Sequence, residues 1–152
     1  MKILTILILC TLAYIPSFAM SPFSLESIQS VNVKIFDKDK ILDELSLKSF
    51  TQEVEKKLLI VGIKSSTKAF SNFIIKIQAI KIGSTIVCHI NLSLVENARI
   101  ARSTPVEGIA IGYMKDDLFE SDDIKNDIAE SIKFLVDEFT EQYKEENPNL
   151  LK

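Results

Sequence analysis

The segment Phe73 to Val95 reads FIIKIQAIKIGSTIVCHINLSLV, two strand-forming runs separated by Gly83 and Ser84. Glycine at the first position of a two-residue loop favours a type II′ turn. With that turn Ile82 faces Thr85, and four successive apolar pairs follow outward along one face. These pairs are Ala79 with Cys88, Ile77 with Ile90, Ile75 with Leu92 and Phe73 with Leu94. The segment therefore predicts an antiparallel hairpin with one apolar face.

The opposite face of this hairpin is mixed, since the same register pairs Gln78 with His89 and Lys76 with Asn91. An open sheet face usually alternates more cleanly toward polar residues. We therefore expect a partner surface on this face. Its predicted residues are Ile74, Ile80, Ile82, Val87 and His89. The alternative is that isoleucine and valine are simply good strand residues, and that scattered apolar side chains are ordinary on protein surfaces.

The N-terminal 19 residues are predicted to be a secretory signal peptide. Lys2 precedes an apolar run from Ile3 to Ile15, and the small-x-small triplet Ser17-Phe18-Ala19 follows it. A membrane anchor is the alternative, but this run is shorter than the ~20 residues that a membrane-spanning helix needs. Leu9 before Cys10 does not fit lipid attachment, which requires a small residue there. We expect a periplasmic or secreted chain that begins directly after the triplet.

Composition limits the classes of partner and scaffold. The chain carries 18 Lys and Arg against 21 Asp and Glu, and its arginines are Arg99 and Arg102, so no basic stripe is available to follow nucleic-acid phosphates. Cys88 is the single cysteine after the signal peptide, which predicts no internal disulfide. We therefore expect a packed core, no nucleic-acid partner, and membrane contact only through an uncleaved signal peptide.

The N-terminal half of the remaining chain predicts a strand and a helix. Residues 20–30 lack periodicity and are expected to be a flexible lead-in. Alternation over residues 31–35 predicts a strand. Apolar residues then recur at helical spacing up to Gly62, which suits the left-handed conformation that ends a helix. Asp43 or Ser46 is the expected N-cap.

The C-terminal half predicts one more strand and a long helix. Residues 96–105 are interpreted as a loop, and the alternative is that they prolong the second hairpin strand past a bulge. A last strand is expected near Glu107 to Met114, with one bulky and one nearly bare face. Its bulky residues are Ile109, Ile111 and Tyr113. The last helix is expected from Asp122 to Lys144, with Ser121 as its N-cap.

This order of elements, β-α-β-β-β-α, predicts a two-layer α+β sandwich. Each helix has one apolar stripe, and the simplest arrangement places both helices on one face of an antiparallel-rich sheet. Residues 31–148 are expected to form a single domain, with a short tail at residues 149–152.

The last helix ends in the sequence LVDEFTEQYKEENP, with Phe139, Tyr143, Asn147 and Pro148 as its closing motif. Together with the export signal and the order of elements, it resembles small uncharacterised exported proteins of Gram-negative bacteria. More distantly it is similar to the periplasmic domains of envelope-assembly lipoproteins, although this chain lacks their lipid-attachment cysteine. The resemblance implies binding to other envelope components and brings no catalytic residues.

Three groups of residues suggest chemistry. Cys88 and His89 are adjacent, but neighbours on a strand point to opposite faces, so they do not form one site. The segment Asp37 to Glu44 begins like a calcium loop, but Leu42 stands at the glycine position. The third group is acidic and consists of Asp116, Asp117, Glu120, Asp122 and Asp123. It is interpreted as a solvated turn and helix start, and the alternative is a weak divalent-cation site.

The sequence therefore favours a non-enzymatic binding or assembly module of the bacterial cell envelope. No spacing of a base and a nucleophile matches a known catalytic motif. We expect no catalytic residues, metal or cofactor, and an envelope protein or a second copy as partner. The alternative is a small exported hydrolase-like enzyme whose site is assembled from scattered residues.

Overall fold

The computed structural model describes residues 24–100 and 103–149. The predicted signal peptide and residues 20–23 and 150–152 lie outside these ranges. The elements are β1 (Ser30–Asp37), α1 (Glu44–Ile60), β2 (Lys64–Ser65), β3 (Ser71–Ile82), β4 (Thr85–Ile100), β5 (Val106–Ser121) and α2 (Ile124–Glu146). In the described part of the chain, neither helix is long and apolar enough to cross a membrane.

The five strands form one mixed sheet in the order β2-β1-β3-β4-β5, and both helices pack on the same face. The predicted α+β architecture is therefore confirmed. β3, β4 and β5 run antiparallel, whereas β1 pairs in parallel with both β2 and β3. The parallel pairs arise because the chain leaves β1, crosses the sheet as α1 and returns in the same direction.

The hairpin register is confirmed at every predicted pair, from Ile82 with Thr85 to Phe73 with Leu94. Gly83 has a φ of 64° and Ser84 does not have a positive φ, as a type II′ turn requires. The side chains of the apolar face are fully buried beneath the helices, except for the half-buried Ala79. The turn and the hydrophobic pattern thus fix the same pairing.

The helix ends follow the expected chemistry at α1 and differ at α2. The Asp43 side chain accepts a hydrogen bond from the backbone N–H of Ser46, and Gly62 has a φ of 89°. At α2 the N-cap is Asp123, so the prediction of Ser121 is wrong. Ser121 instead ends β5, where its hydroxyl donates a hydrogen bond to Asp127 at 2.7 Å.

β4 and β5 are longer than predicted. Residues 96–100 continue β4, so the loop interpretation is wrong there, and β5 extends past Met114 to Ser121. The register of the two strands shifts between Leu94 and Val95 because Gly112 is an extra residue in β5. This bulge reverses the alternation, which is why Tyr113 faces the core while the two isoleucines before Gly112 face away from it.

The core fills the space between the sheet and the two helices. α1 packs on β1 and β2, and α2 packs on β4 and β5. Phe139 of α2 lies at the centre of an aromatic group, with ring centroids 4.9 Å from Phe73 and 5.1 Å from Tyr113. Lys57 and Asp137 form an ion pair that joins the two helices.

The described part of the lead-in is packed against α2, which differs from the predicted flexible segment. Leu25 is fully buried and Ile28 nearly so. The Tyr143 hydroxyl donates to the Ile28 carbonyl at 2.8 Å. Asn147 accepts from the Ser27 N–H at 3.0 Å and donates to the Leu25 carbonyl at 3.1 Å. The closing motif of the last helix therefore binds the segment before β1.

Candidate interaction surface

The outer face of the sheet, opposite the helices, is open among residues 24–100 and 103–149. Its side chains form rows across the strands, because residues paired in register lie side by side. The outer face divides into two apolar patches and a polar band between them. Its most exposed apolar side chains, with their exposed fractions, are Ile109 (72%), Leu118 (69%), Ile80 (65%), Ile82 (64%) and Met114 (60%).

The turn-end patch lies beside the β3–β4 turn and consists of Ile80, Ile82, Val87 and Leu118. Ile80 is directly opposite Val87 on the neighbouring strand. Val87 in turn lies opposite Glu120 of β5, and Leu118 is two residues away from that acid. Three of the five predicted partner-surface residues therefore lie together here.

The bulge-end patch lies toward the other end of the same strands and consists of Ile74, Val95, Ile109, Ile111 and Met114. Ser93 sits between Ile74 and Met114 in one row, and these two side chains leave it almost no exposure. Val95 lies opposite Ile111 in the next row. Ile74, the fourth predicted residue, is thus separated from the turn-end patch.

The polar band lies on β3, β4 and β5 between the two patches. Asp116 of β5 lies 3.0 Å from His89 Nε2 and accepts a hydrogen bond from the Asn91 amide at 2.8 Å. Lys76 is opposite Asn91 in the same row, and Gln78 is opposite His89. His89, the fifth predicted residue, therefore belongs to the band and forms its only described hydrogen bond with a carboxylate.

The β5 part of the outer face was not predicted from the sequence. The predicted strand ends at Met114 and is followed by a predicted turn, whereas β5 continues through Leu118. Ile109 and Ile111 were assigned to one face with Tyr113, but the bulge at Gly112 separates them. Residues 114–119 read MKDDLF, which does not alternate between apolar and polar residues, so the sequence gives no strand-like pattern for this part of β5.

The acidic group does not form a common site in the structure. Asp116 and Asp117 are consecutive residues of β5 and point to opposite faces, so the interpretation of this segment as a solvated turn is wrong. Asp123 caps α2 and accepts from the Asn126 N–H. In the described residues, no three His, Cys, Asp or Glu side chains are arranged to hold a metal ion.

Cys88 and His89 occupy different environments, as strand geometry predicts. Cys88 is fully buried on the core side. Burial, with a smaller contribution from the negative charge of Asp127, raises the pKa of its thiol. Burial therefore disfavours the thiolate that a nucleophilic cysteine requires.

A small groove between α1 and α2 has a mainly apolar lining. Its volume is about 250 Å³, below the ~300–1,000 Å³ of a typical small-molecule site. Phe50, Val54, Ile132 and Val136 line its floor. Lys57 also lines the groove, and its ammonium group forms an ion pair with Asp137 of α2.

The comparisons with known proteins add no family. No protein-family model matches the chain, and no curated protein sequence is significantly similar to it.

Proposed function

We propose that this chain is an exported, non-enzymatic binding or assembly module of the bacterial cell envelope, and that its outer face binds a protein partner. The observation that carries the proposal is the open outer face, on which two apolar patches flank the polar band formed around His89, Asn91 and Asp116.

The apolar patches supply the driving force for binding. Removing apolar surface from water contributes roughly 25 cal/mol for each Å² buried. Side chains such as Ile80 and Leu118 are mostly exposed, so their burial against a partner is available as binding free energy. Contiguous apolar patches with polar neighbours are typical of interaction sites.

The polar band supplies orientation. The groups of His89, Asn91 and Asp116 are held together by mutual hydrogen bonds. A partner that covers both patches must pair the polar atoms that these bonds leave free, such as the second carboxylate oxygen of Asp116, because burying an unpaired polar group is costly. This requirement favours a partner with complementary polar groups over nonspecific apolar contact.

Export is supported by the sequence of the first 19 residues. The measurement is the intact mass of the protein recovered from the envelope or medium of its native cell. We expect a chain that begins near Met20 without acyl groups. A chain that starts at an acylated Cys10, or one found only in the cytoplasm with its leader, would contradict this part of the proposal.

The partner surface is tested with matched double variants. Ile80→Lys with Val87→Thr changes the turn-end patch, while Leu59→Lys with Ile60→Thr changes exposed apolar residues of α1. A photo-crosslinking residue at Gln78 identifies the bound protein in the native cell. We expect crosslinking to fall at least ~10-fold in the first variant and to stay unchanged in the control.

Circular dichroism distinguishes a binding defect from misfolding. Both double variants should keep the wild-type spectrum, since the altered side chains lie outside the core. Equal crosslinking of the turn-end variant and the wild type would mean that the partner binds a surface other than the turn-end patch.

A further inference from the structure

β5 is an edge strand of 16 residues, and within the described parts of the chain it pairs with β4 alone. Its second edge therefore carries backbone N–H and C=O groups without a strand partner. Such an edge is a template for pairing with another strand, and proteins commonly protect it with charged side chains that point inward. Lys115 and Asp117 are charged residues of this kind, since they lie on the helix side of the sheet.

The central part of this strand has a sequence that is complementary to itself. The edge segment Tyr113–Phe119 reads YMKDDLF, with Asp116 at its centre. Aromatic residues stand three positions from the centre and large apolar residues two positions from it, whereas Lys115 and Asp117, one position away, have opposite charges. A two-fold symmetric interface requires this kind of pattern, because each residue meets the counterpart from the other half.

We propose that two copies of this chain pair antiparallel through the edge segment, with the two-fold axis at Asp116. Each Lys115 then lies opposite Asp117 of the second copy, on the helix side of the joined sheet. Met114 lies opposite Leu118 of the second copy on the outer face, and Tyr113 opposite Phe119. Successive side chains of a strand point to opposite faces of the sheet. The helices of both copies therefore lie on one face of the joined sheet only if the two-fold axis passes through a residue, so that this residue lies opposite the same residue of the second copy.

Ion pairing distinguishes this register from its neighbours. Among the described residues Asp117 forms no ion pair, although it is half-buried on the helix side. The nearest cation on its own strand, Lys115, is bound to Glu138 of α2. In the dimer, Lys115 of the second copy lies opposite each Asp117. The ammonium group of a lysine has three N–H donors, so Lys115 binds Glu138 of its own copy and Asp117 of the second copy at the same time. A symmetry centre one residue earlier instead places Lys115 opposite Lys115, and one residue later it places Asp117 opposite Asp117.

The one unfavourable pair of this register is Asp116 with its equivalent at the axis. Both carboxylates are drawn toward their own β4, where Asn91 donates to Asp116 and His89 lies 3.0 Å away. On the helix side, Phe134 of α2 is half-exposed, and its ring lies 5.6 Å from the Lys115 ammonium. Phe134 of each copy therefore lies near the Lys115–Asp117 pairs, on the helix side of the joined sheet.

The register is tested by disulfide crosslinking between different variants. Met114→Cys and Leu118→Cys are prepared separately in the full chain carrying Cys10→Ser, because the remaining Cys88 is buried. Directly opposite side chains have Cβ atoms about 4.5–5.5 Å apart, whereas equal positions of the two copies are four residues out of register, about 13 Å. We expect oxidation to link the mixed variants and neither variant alone.

The charge pairs are tested by sedimentation equilibrium. Asp117→Lys places lysine opposite lysine at both symmetric positions, and we expect it to weaken the dimer at least ~10-fold. Glu107→Lys makes the same change of charge on the same strand outside the edge segment, and we expect it to leave the dimer unchanged. Circular dichroism of both variants separates dissociation from unfolding.

Each alternative outcome contradicts the proposal. A wild-type protein that remains monomeric up to its solubility limit would mean that Lys115 and Asp117 protect the edge instead of joining it. Crosslinking of Met114→Cys alone would show a different register. A dimer that is insensitive to Asp117→Lys and forms no mixed crosslink would place the interface on another surface, such as the outer face.

Discussion

Replacing Asn147 with alanine tests how firmly the lead-in is held. Its side chain forms three hydrogen bonds, with the Ser27 N–H at 3.0 Å, the Leu25 carbonyl at 3.1 Å and the Tyr143 carbonyl at 2.9 Å. The side chain is almost fully buried. Alanine at this position therefore leaves two backbone groups of the lead-in without their partners.

The expected loss of stability follows from these bonds. Each intramolecular hydrogen bond contributes about 0.5–1.5 kcal/mol, so three bonds give roughly 1.5–4.5 kcal/mol. The Tyr143 carbonyl keeps its hydrogen bond from the backbone N–H of residue 147, at 3.0 Å, when the side chain is removed. We therefore expect a value within this range, about 3 kcal/mol lower free energy of unfolding. Urea denaturation followed by circular dichroism measures this difference.

Asn149→Ala provides the matched control, since Asn149 is an exposed asparagine two residues further along the chain. Its stability should equal that of the wild type. Hydrogen exchange locates the effect, because the Leu25 N–H donates to Glu146 and should exchange faster in Asn147→Ala. A variant as stable as the control, with unchanged protection at Leu25, would refute the argument that this side chain anchors the segment before β1.

Two further predictions concern ionisable side chains. Thiol reagents should label Cys88 at least ~100-fold more slowly in buffer than in denaturant, because its side chain is fully buried and burial raises its pKa. Equal labelling rates would mean that the helices do not cover the apolar face of the hairpin. Burial, and secondarily the charge of Glu138, raises the pKa of Tyr113 from 10.0 to about 12. The neutral form of Tyr113 therefore stabilises the fold below pH 10, and this contribution is lost as the pH rises toward 12. Tyr113→Phe should therefore lose less stability than the wild type across that interval in pH-dependent denaturation, and parallel curves would contradict the assignment.

The features that the sequence predicts correctly depend on neighbouring residues. Gly83 fixes the turn, and the alternation on each side of it fixes which residues pair, so the β3–β4 register follows from local information. Asp43 and Gly62 similarly delimit α1 through interactions within one helical turn. The order β-α-β-β-β-α then leaves few arrangements that bury both helical stripes on one sheet face.

The features that were missed depend on distant contacts. Leu25 and Ile28 lie in a segment without periodicity, and their burial is created by residues of α2 about 120 positions later. The bulge at Gly112 is a property of the pairing between β4 and β5 and leaves no mark on either strand alone. Lys115 interrupts the apolar pattern of β5, but Glu138 of α2 provides its counter-charge.

The same distinction applies to the candidate surface. The hairpin register suffices to place Ile80 and Val87 side by side on the face away from the helices. The division of the outer face into two patches depends on the position of β5. This strand contributes Met114, Leu118 and the Asp116 carboxylate that lies against His89. The five predicted residues are therefore the β3–β4 part of a larger surface.

The contacts between the lead-in and the closing motif also set the timing of folding. Tyr143 lies 115 residues after Ile28, and Asn147 lies 122 residues after Leu25, so each contact forms only after the rest of the described fold has been synthesised. Until the final turns of α2 leave the ribosome, the segment before β1 lacks its hydrogen-bond partners in α2, and the aromatic group around Phe139 is incomplete. These contacts therefore close only after the last turns of α2 and Asn147 have been synthesised.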